Sequence, residues 1–203
     1  NTWLLNYWAA DRKPISVITP ENNIFSYEFD SPLFPTIVNV TNLVIDENNT
    51  KWFAGDFNGD GATDGLFYFN ETGTLENLSD DVWGKLSQSN GLRNRDVRAL
   101  AIDKFGELII GTSVGVDVIP NTSDPSFVRG DQYFSMRQQT INCIVVDPLN
   151  QKWFGTEKGI FLTSSDGSFL LANYNKTNSP LPSDNIKSLA MDNKNGIVYA
   201  GTD

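Results

Sequence analysis

One short segment occurs four times in this chain of 203 residues, and it restricts the fold more than any other feature. Each copy is a run of mostly apolar residues that ends on an aspartate, and the four aspartates are Asp46, Asp103, Asp147 and Asp192. A second run, rich in apolar residues, follows each aspartate after a polar stretch. Two such runs joined by a polar turn predict a β-hairpin, so the chain repeats one hairpin.

Two further strands follow the hairpin in the complete copies. The third strand is predicted to begin on a glycine, at Gly65–Phe69, Gly115–Ile119 and Gly159–Thr163. The fourth is predicted at Thr74–Leu78, near Ser126–Phe134 and at Ser168–Tyr174. The last three aspartates are 44 and 45 residues apart, which is the spacing of a four-stranded propeller blade. We therefore predict an all-β fold, a β-propeller of four-stranded antiparallel blades.

The blade boundaries follow from aligning the copies. They predict a partial blade at 1–30, complete blades at 40–78, 97–134 and 141–174, and a second partial blade at 186–203. About four blades' worth of strands is present, and both chain ends are expected inside blades. The first strand of each blade should be innermost because it is the most uniformly apolar. The two partial blades either complete one blade together or leave open edges, which would favour self-association.

Several conspicuous residues have structural explanations. Each aspartate is expected to cap its turn by accepting backbone N–H groups. Trp52 and Trp153 should fill the space between blades, with a stacking platform for a sugar as the alternative. Cys143 occupies a position that holds Asn, Ala or Ser in the other copies, so we interpret it as a small buried spacer and not as a nucleophile.

The repeat resembles a known family. The run Leu92–Asp103, followed by Leu108–Thr112 and Gly115, resembles the two-component regulator propeller repeat, as do 141–160 and 181–202. The resemblance covers about residues 40–203. It implies a ring of blades on the periplasmic side of hybrid sensor kinases, or in exported proteins of the type IX secretion apparatus. A periplasmic or extracellular bacterial protein is therefore expected, and neither setting implies catalysis.

The first copy carries an insertion from Asp56 to Asp64 that is similar to the calcium loops of FG-GAP propeller repeats and dockerin-type modules. Calcium prefers six to eight oxygen ligands, which alternate residues of a tight loop can direct at one centre. The predicted ligands are the side chains of Asp56, Asn58, Asp60 and Asp64 and the backbone carbonyl of Ala62. The alternative is a metal-free hairpin turn, since Asn-Gly and Asp-Gly favour such turns.

Composition excludes some functions. The net charge is −10 and the 15 Lys and Arg residues are dispersed, which argues against nucleic acid as a partner. No apolar run is long enough to span a membrane. The chain has no His and one Cys, so it lacks the commonest general base and metal ligand and any internal disulfide.

These observations favour an extracytoplasmic binding or sensing module for a glycan or a protein, and not an enzyme. One alternative is a propeller-fold polysaccharide lyase or glycosidase, and a glycosidase would need two carboxylates flanking a pocket. Another is a purely structural segment of an assembly. An aromatic-lined pocket would favour binding, whereas a large flat apolar face would favour assembly.

Overall fold

Sixteen β-strands in five antiparallel sheets form nearly all the regular structure in the residues that the computed structural model describes. Those residues are 1–6, 13–28, 39–56, 63–126 and 128–203. The first sheet contains β1 (Thr2–Leu5), β2 (Ile15–Ile18) and β3 (Ile24–Tyr27). The second contains β4 (Asn39–Ile45), β5 (Lys51–Asp56), β6 (Leu66–Asn70) and β7 (Val82–Leu86).

The other three sheets repeat this plan. The third sheet contains β8 (Val97–Ile102), β9 (Leu108–Thr112) and β10 (Gly115–Ile119). The fourth contains β11 (Ile141–Val146), β12 (Lys152–Thr156), β13 (Gly159–Thr163) and β14 (Leu170–Tyr174), and the fifth β15 (Ile186–Asp192) and β16 (Ile197–Thr202). Each sheet keeps its strands in chain order, so every connection is a hairpin. The predicted all-β fold of antiparallel four-stranded blades is confirmed. Among the described residues, no helix is long and apolar enough to cross a membrane.

The first strands of consecutive sheets are neighbours, as expected for the innermost position. Asn42 Nδ2 in β4 donates to the carbonyl of Arg98 in β8 at 2.8 Å. Asn142 Nδ2 in β11 donates in the same way to Ile186 in β15 at 2.9 Å. The second strands are nevertheless the most buried, since all of β5 and β9 is buried whereas β4 is largely half-exposed. The first strand is an edge of its own sheet, so it is covered on fewer sides.

Two fourth strands differ from prediction. The second sheet ends in Val82–Leu86, so the strand predicted at Thr74–Leu78 is wrong. That segment lies in the loop before β7, where Leu75 packs against the core between the first and second sheets. In the third sheet, the described part of 126–134 contributes one isolated bridge, between Val118 and Arg129, and no strand. The fourth strand of the fourth sheet is confirmed at Leu170–Tyr174.

Apolar side chains fill the spaces between consecutive sheets. Separate clusters lie between the first and second sheets, the second and third, and the third and fourth. Trp52 is fully buried in the middle cluster, which confirms its packing role. Trp153 is only half-buried and stacks on Tyr174 with 5.9 Å between ring centres. Both rings line a 330 Å³ cleft beside β16. The prediction that Trp153 fills the space between blades is therefore only partly confirmed. The first and fifth sheets remain separate sheets in the described residues.

The position of Cys143 is small because a glycine lies opposite. Cys143 pairs with Gly155, where an added Cβ would lie 2.3 Å from the cysteine Sγ. Ala99 pairs with Gly111 in the equivalent place, where an added Cβ would also be crowded. Burial raises the pKa of the Cys143 thiol to about 11, so it stays protonated at neutral pH and is a poor nucleophile. The spacer interpretation is consistent with both observations.

The four aspartates cap their turns as predicted. One carboxylate oxygen of Asp46 accepts the backbone N–H groups of Asn48 and Thr50, both at 2.9 Å. Asp103 and Asp147 repeat this pattern at distances of 2.8 to 3.0 Å. Asp192 accepts the N–H groups of Lys194 and Asn195. An Asx-type turn therefore ends the first strand of the second, third, fourth and fifth sheets.

The hydrogen-bond donor to the second carboxylate oxygen of each aspartate differs between the sheets. In the second and fourth sheets it accepts the indole N–H of Trp52 or Trp153, at 2.8 and 3.2 Å. In the third sheet isoleucine replaces the tryptophan, and Asp103 instead accepts from Lys152 Nζ of the next sheet at 2.9 Å. Burial opposes the ionisation of Asp103, but hydrogen bonds from Lys152, Asn150 and two backbone amides hold its pKa below the usual value. This aspartate therefore links two sheets.

We expect Asp103→Ala to destabilise the protein more than Asp147→Ala. The Lys152 ammonium is fully buried, and breaking a buried ion pair costs about 3–5 kcal/mol. Asp147→Ala removes hydrogen bonds from uncharged donors only, which costs about 1–3 kcal/mol. Urea unfolding of both variants measures the difference. The double variant Asp103→Ala/Lys152→Met should recover part of the loss, and equal losses in the two single variants would contradict the link.

Candidate functional site

A cavity of about 640 Å³, named here the polar cavity, lies between the second and third sheets. Three segments line it: the turn between β4 and β5, the β6–β7 hairpin, and the loop after β10. Its lining residues are Asn48, Asn49, Thr50, Tyr68, Asn70, Thr72, Gly73, Val82, Thr122, Ser123 and Pro125. None of them carries a formal charge, although the protein as a whole is strongly acidic. The polar cavity therefore offers amides, hydroxyls and one aromatic ring.

Local turn chemistry shapes the walls of the polar cavity. The Asp46 cap holds the turn that presents Asn48 and Asn49, and Asn49 adopts a positive φ of 63°. Asparagine tolerates this left-handed region better than most residues. In the β6–β7 hairpin, the Asn70 side chain accepts the backbone N–H of Thr72 at 2.8 Å. Two side-chain-capped turns thus form two of the walls.

Side-chain amides connect these walls to each other and to the third sheet. Asn70 Nδ2 donates to the carbonyl of Asn48 at 2.9 Å and to Thr50 Oγ1 at 3.0 Å. Asn48 Nδ2 donates across the sheet interface to Ser123 Oγ at 2.9 Å. Because the donors are already oriented by protein partners, the cavity is largely pre-formed.

Tyr68 is the aromatic residue of the polar cavity. It is half-buried, and its ring centre lies 5.1 Å from that of Trp52. It pairs across the strands with Gly84, where an added Cβ would fall 2.0 Å from the tyrosine ring. Glycine is therefore required at position 84 for the ring to lie over β7. The same packing fixes the ring in the cavity wall.

Charged groups lie behind the polar cavity and do not line it. Glu71 is 2% exposed and accepts from Asn49 Nδ2 at 2.6 Å and from the Lys51 ammonium. Lys51 is fully buried, and its Nζ lies 4.0 Å from the ring centre of Trp3 in the first sheet. Burial lowers the pKa of Lys51, while Glu71, Asp46 and Asp81 oppose that shift. This buried network supports the cavity wall through Asn49.

The predicted calcium loop is only partly within the described residues. Asp56 is buried at the end of β5, and Asp64 N donates to the carbonyl of Gly55 at 2.7 Å, which joins the two ends of the loop. Asn58, Asp60 and Ala62 lie outside the described residues. Arg95 Nη1 donates to Asp64 at 2.8 Å, so calcium would have to share or displace that contact. Joined ends suit a metal loop, and the site stays a prediction.

The described residues do not assemble a metal site. Within them, no group of three or more His, Cys, Asp or Glu side chains is arranged to hold a metal ion. A second cavity of about 490 Å³ lies between the second and third sheets beside the predicted calcium loop. Its carboxylates are Asp56, at the loop neck, and Asp96, which accepts from Arg98 Nε at 2.8 Å. The ion pair accounts for Asp96 without a ligand.

Sequence reasoning did not find the polar cavity. The turn residues Asn48 and Asn49 follow a recognised capping aspartate, so their position at a turn tip was accessible from the repeat. The β6–β7 wall was not accessible from the repeat, since the fourth strand was predicted too early in the chain and the tip of that hairpin was therefore misassigned. The third wall, from Thr122 to Pro125, meets the others only through sheet packing, and nothing in the local sequence indicates it.

Solved structures similar to this chain support the propeller fold. PorZ, a surface component of the type-IX secretion system of Porphyromonas gingivalis, matches 98% of this chain at 29% identity with a TM-score of 0.83. The extracellular domain of a protein described as a hybrid two-component system from B. thetaiotaomicron matches 98% at 16% identity with a TM-score of 0.63. Virginiamycin B lyase from Staphylococcus aureus matches 92% at 14% identity with a TM-score of 0.63.

The matches cover only part of those proteins. This chain spans 29% of PorZ, 26% of the two-component protein and 55% of the lyase. No family model matches the chain, and no curated protein matches it. The chain thus has the β-propeller fold, and the resemblance to regulator propellers is confirmed at the level of the fold.

Calcium should raise the melting temperature if the loop from Asp56 to Asp64 binds it. Extracellular modules bind calcium with dissociation constants of about 0.1–1 mM, so 1 mM calcium would add about 0.4–1.4 kcal/mol. Thermal melts with calcium, with magnesium and with chelator measure the effect on the wild type and on Asp60→Ala. Asp131→Ala, which removes an exposed carboxylate elsewhere, is the matched control. The absence of a calcium-selective shift in the wild type would exclude the site.

Proposed function

We propose that this β-propeller chain is an extracytoplasmic recognition module that binds an uncharged oligosaccharide in the polar cavity. The observation that carries the proposal is the lining, in which fixed amides and hydroxyls surround one aromatic ring and no charged side chain is present. The volume of about 640 Å³ lies within the range of small-molecule sites, about 300–1,000 Å³.

The chemistry of the lining suits a neutral sugar. A sugar ring has an apolar C–H face and a rim of hydroxyls that donate and accept hydrogen bonds. The Tyr68 ring offers an apolar surface for the C–H face, and the side-chain oxygens of Asn48 and Asn70 with the hydroxyls of the loop after β10 offer partners for the hydroxyl rim. An ionic ligand would bind less well here, because no charged side chain among the described lining residues compensates for the loss of its hydration. The same argument disfavours a strongly charged peptide.

The proposed location outside the cytoplasm is supported by the similar structures. One is a bacterial surface component, and another is an extracellular domain. Both are much longer than this chain, so the location remains part of the proposal.

We further propose that the module does not catalyse a reaction. The chain has no histidine, and the Cys143 thiol is protonated at neutral pH. Among the described acids, the four turn aspartates are occupied in capping, and Glu71 is paired with Lys51. A lyase shares the fold at 14% identity, so the proposal depends on these residues and not on the fold.

Tyr68→Ala is expected to weaken binding of a neutral oligosaccharide by about tenfold or more, because it removes the stacking surface. A panel of neutral glucans, mannans and galactans, with acidic polysaccharides for comparison, identifies the probe, and titration calorimetry measures its affinity. Tyr68→Phe should lose much less because it keeps the ring. Tyr199→Ala removes an exposed tyrosine from the fifth sheet and serves as the matched control.

A second variant tests the location of the site in case Tyr68→Ala loses binding only because it unfolds. Ser123 is exposed at the cavity mouth, so Ser123→Trp should obstruct the cavity and leave the core intact. Equal binding by the wild type and Ser123→Trp would place the sugar elsewhere. A wild type that binds no neutral glycan in the panel would overturn the proposal.

Incubation of the wild type with the same polysaccharides and with nitrophenyl glycosides should yield no products. The reason is that the chain has no histidine and that no carboxylate of the described residues lines the polar cavity. Reducing-end and ultraviolet absorbance assays detect hydrolysis and elimination respectively. Turnover that a single Asp→Asn change abolishes would show that the protein is an enzyme.

A further inference from the structure

Two carboxylates face each other at the neck of the loop that forms one wall of the polar cavity. The β6–β7 ladder ends with the pair Asn70 and Val82. The next residues outward are Glu71 and Asp81, so the antiparallel register places them opposite each other. Like charges directly opposite in a sheet destabilise it. This pair, Glu71 and Asp81, is named here the carboxylate pair.

The surrounding charges balance only one of the two acids. Glu71 is satisfied by the Lys51 ammonium and by Asn49 Nδ2. Asp81 has a buried Oδ1 with no hydrogen-bond partner among the described residues. Asp80 adds a neighbouring negative charge, and Lys51 a positive one. Tyr27, whose pKa is raised by burial and by both members of the carboxylate pair, is neutral and donates to the Leu75 carbonyl at 3.2 Å.

Protonation of Asp81 would remove the charge repulsion between the two acids. A neutral Asp81 removes the repulsion with Glu71 and provides an O–H donor opposite an acceptor. Burial, Asp80 and Glu71 together raise the pKa of Asp81 to about 6, against the partial opposition of Lys51. Asp81 thus gains or loses its proton within the range of pH that extracytoplasmic proteins meet.

The loop closed by the carboxylate pair is part of the polar cavity. Thr72, Gly73 and Val82 belong to this hairpin and line the cavity. Inside the loop, Thr74 N donates to the Glu71 carbonyl at 3.0 Å, and Thr74 Oγ1 contacts the Asp80 carboxylate at 3.1 Å. Separation of Glu71 from Asp81 would loosen these hydrogen bonds first, because one involves Glu71 itself and the other involves Asp80, the residue next to Asp81.

We infer that protonation of the carboxylate pair closes the 71–81 loop. Acidification then orders this wall of the polar cavity and strengthens binding there. The effect on binding rests on the proposed function, whereas the effect on the loop does not. In the acid form the neck is closed by a carboxyl–carboxylate contact. In the ionised form the neck is strained by two facing charges, and the loop opens more often.

Amide hydrogen exchange of Thr72 and Thr74, measured by NMR on the ligand-free protein, tests the closure. After correction for intrinsic exchange, protection should fall at least about threefold between pH 5 and pH 7.5 in the wild type, because a group with a pKa near 6 changes its ionisation over this range. The Asn150 amide, in a turn without such a pair, reports any global change with pH. Unchanged protection of Thr72 and Thr74 would overturn the inference.

Asp81→Asn provides the decisive variant, since its amide is isosteric and cannot ionise. Its loop protection should be independent of pH, and its melting temperature at pH 7.5 should exceed that of the wild type. The sign follows from the raised pKa: stability from protonated Asp81 is present at low pH and is lost as the pH rises to about 6. Asp131→Asn, at an exposed site elsewhere, should keep the wild-type pH dependence. Persistence of the dependence in Asp81→Asn would assign it to another group and refute the pair.

The affinity for the neutral oligosaccharide probe, measured at pH 5.5 and pH 7.5, separates the two proposals. Stronger binding at pH 5.5 in the wild type, but not in Asp81→Asn, supports both. A pH-dependent loop with no sugar binding would refute the proposed ligand and leave the closure intact. Sugar binding that does not change with pH, together with a pH-dependent loop, would refute the effect of the closure on the cavity.

Discussion

The aspartate at the end of each first strand is the interaction on which the rest of the structure depends. One carboxylate oxygen satisfies two backbone N–H groups of the turn, and the other accepts from an indole of the same sheet, from a lysine of the next sheet or, at Asp192, from the side-chain amide of Asn195. A single side chain thus sets the turn, the position of the second strand and, at Asp103, the approach of the neighbouring sheet. Because the cap recurs in each repeat, successive turn tips lie at the same end of their sheets, and one of them forms a wall of the polar cavity.

The polar cavity and its charged support have different roles. The lining is neutral, and the charges of Lys51 and Glu71 lie behind it, linked to the lining through Asn49. A buried ion pair contributes little net stability, since desolvation offsets much of the attraction. It does impose strict geometry, because neither partner tolerates the loss of the other. This network orients Asn49 from behind and leaves only uncharged polar groups in the lining, which is the arrangement expected if the proposed ligand is a neutral, hydroxyl-rich molecule.

Repetition explains how much of the fold was predictable. Strands that recur with the same spacing were recognised in all copies, as for β8 to β10 and β11 to β14. The fourth strand of the second sheet was misplaced, and that of the third sheet was predicted where the described residues form one isolated bridge, because outer strands repeat weakly and Thr74–Leu78 follows a glycine turn as a fourth strand would. Leu75 is partly buried against the first core cluster, so tertiary packing uses its apolar side chain without any strand. The calcium loop remains a sequence-based prediction, since three of its five proposed ligands lie outside the described residues.

The sequence by itself determined the all-β architecture, the hairpins, the capping role of the aspartates and the small-residue column at Cys143. These features arise from interactions between residues close in the chain, or from a pattern repeated with a constant period. Only the tertiary structure decided that Asn48, Tyr68 and Ser123 border one cavity, that Lys152 pairs with Asp103 of the preceding sheet, and that Glu71 faces Asp81. Each of these depends on the register of two strands or on the packing of two sheets. Register and packing are set by the whole core at once, so no local run of residues reveals them.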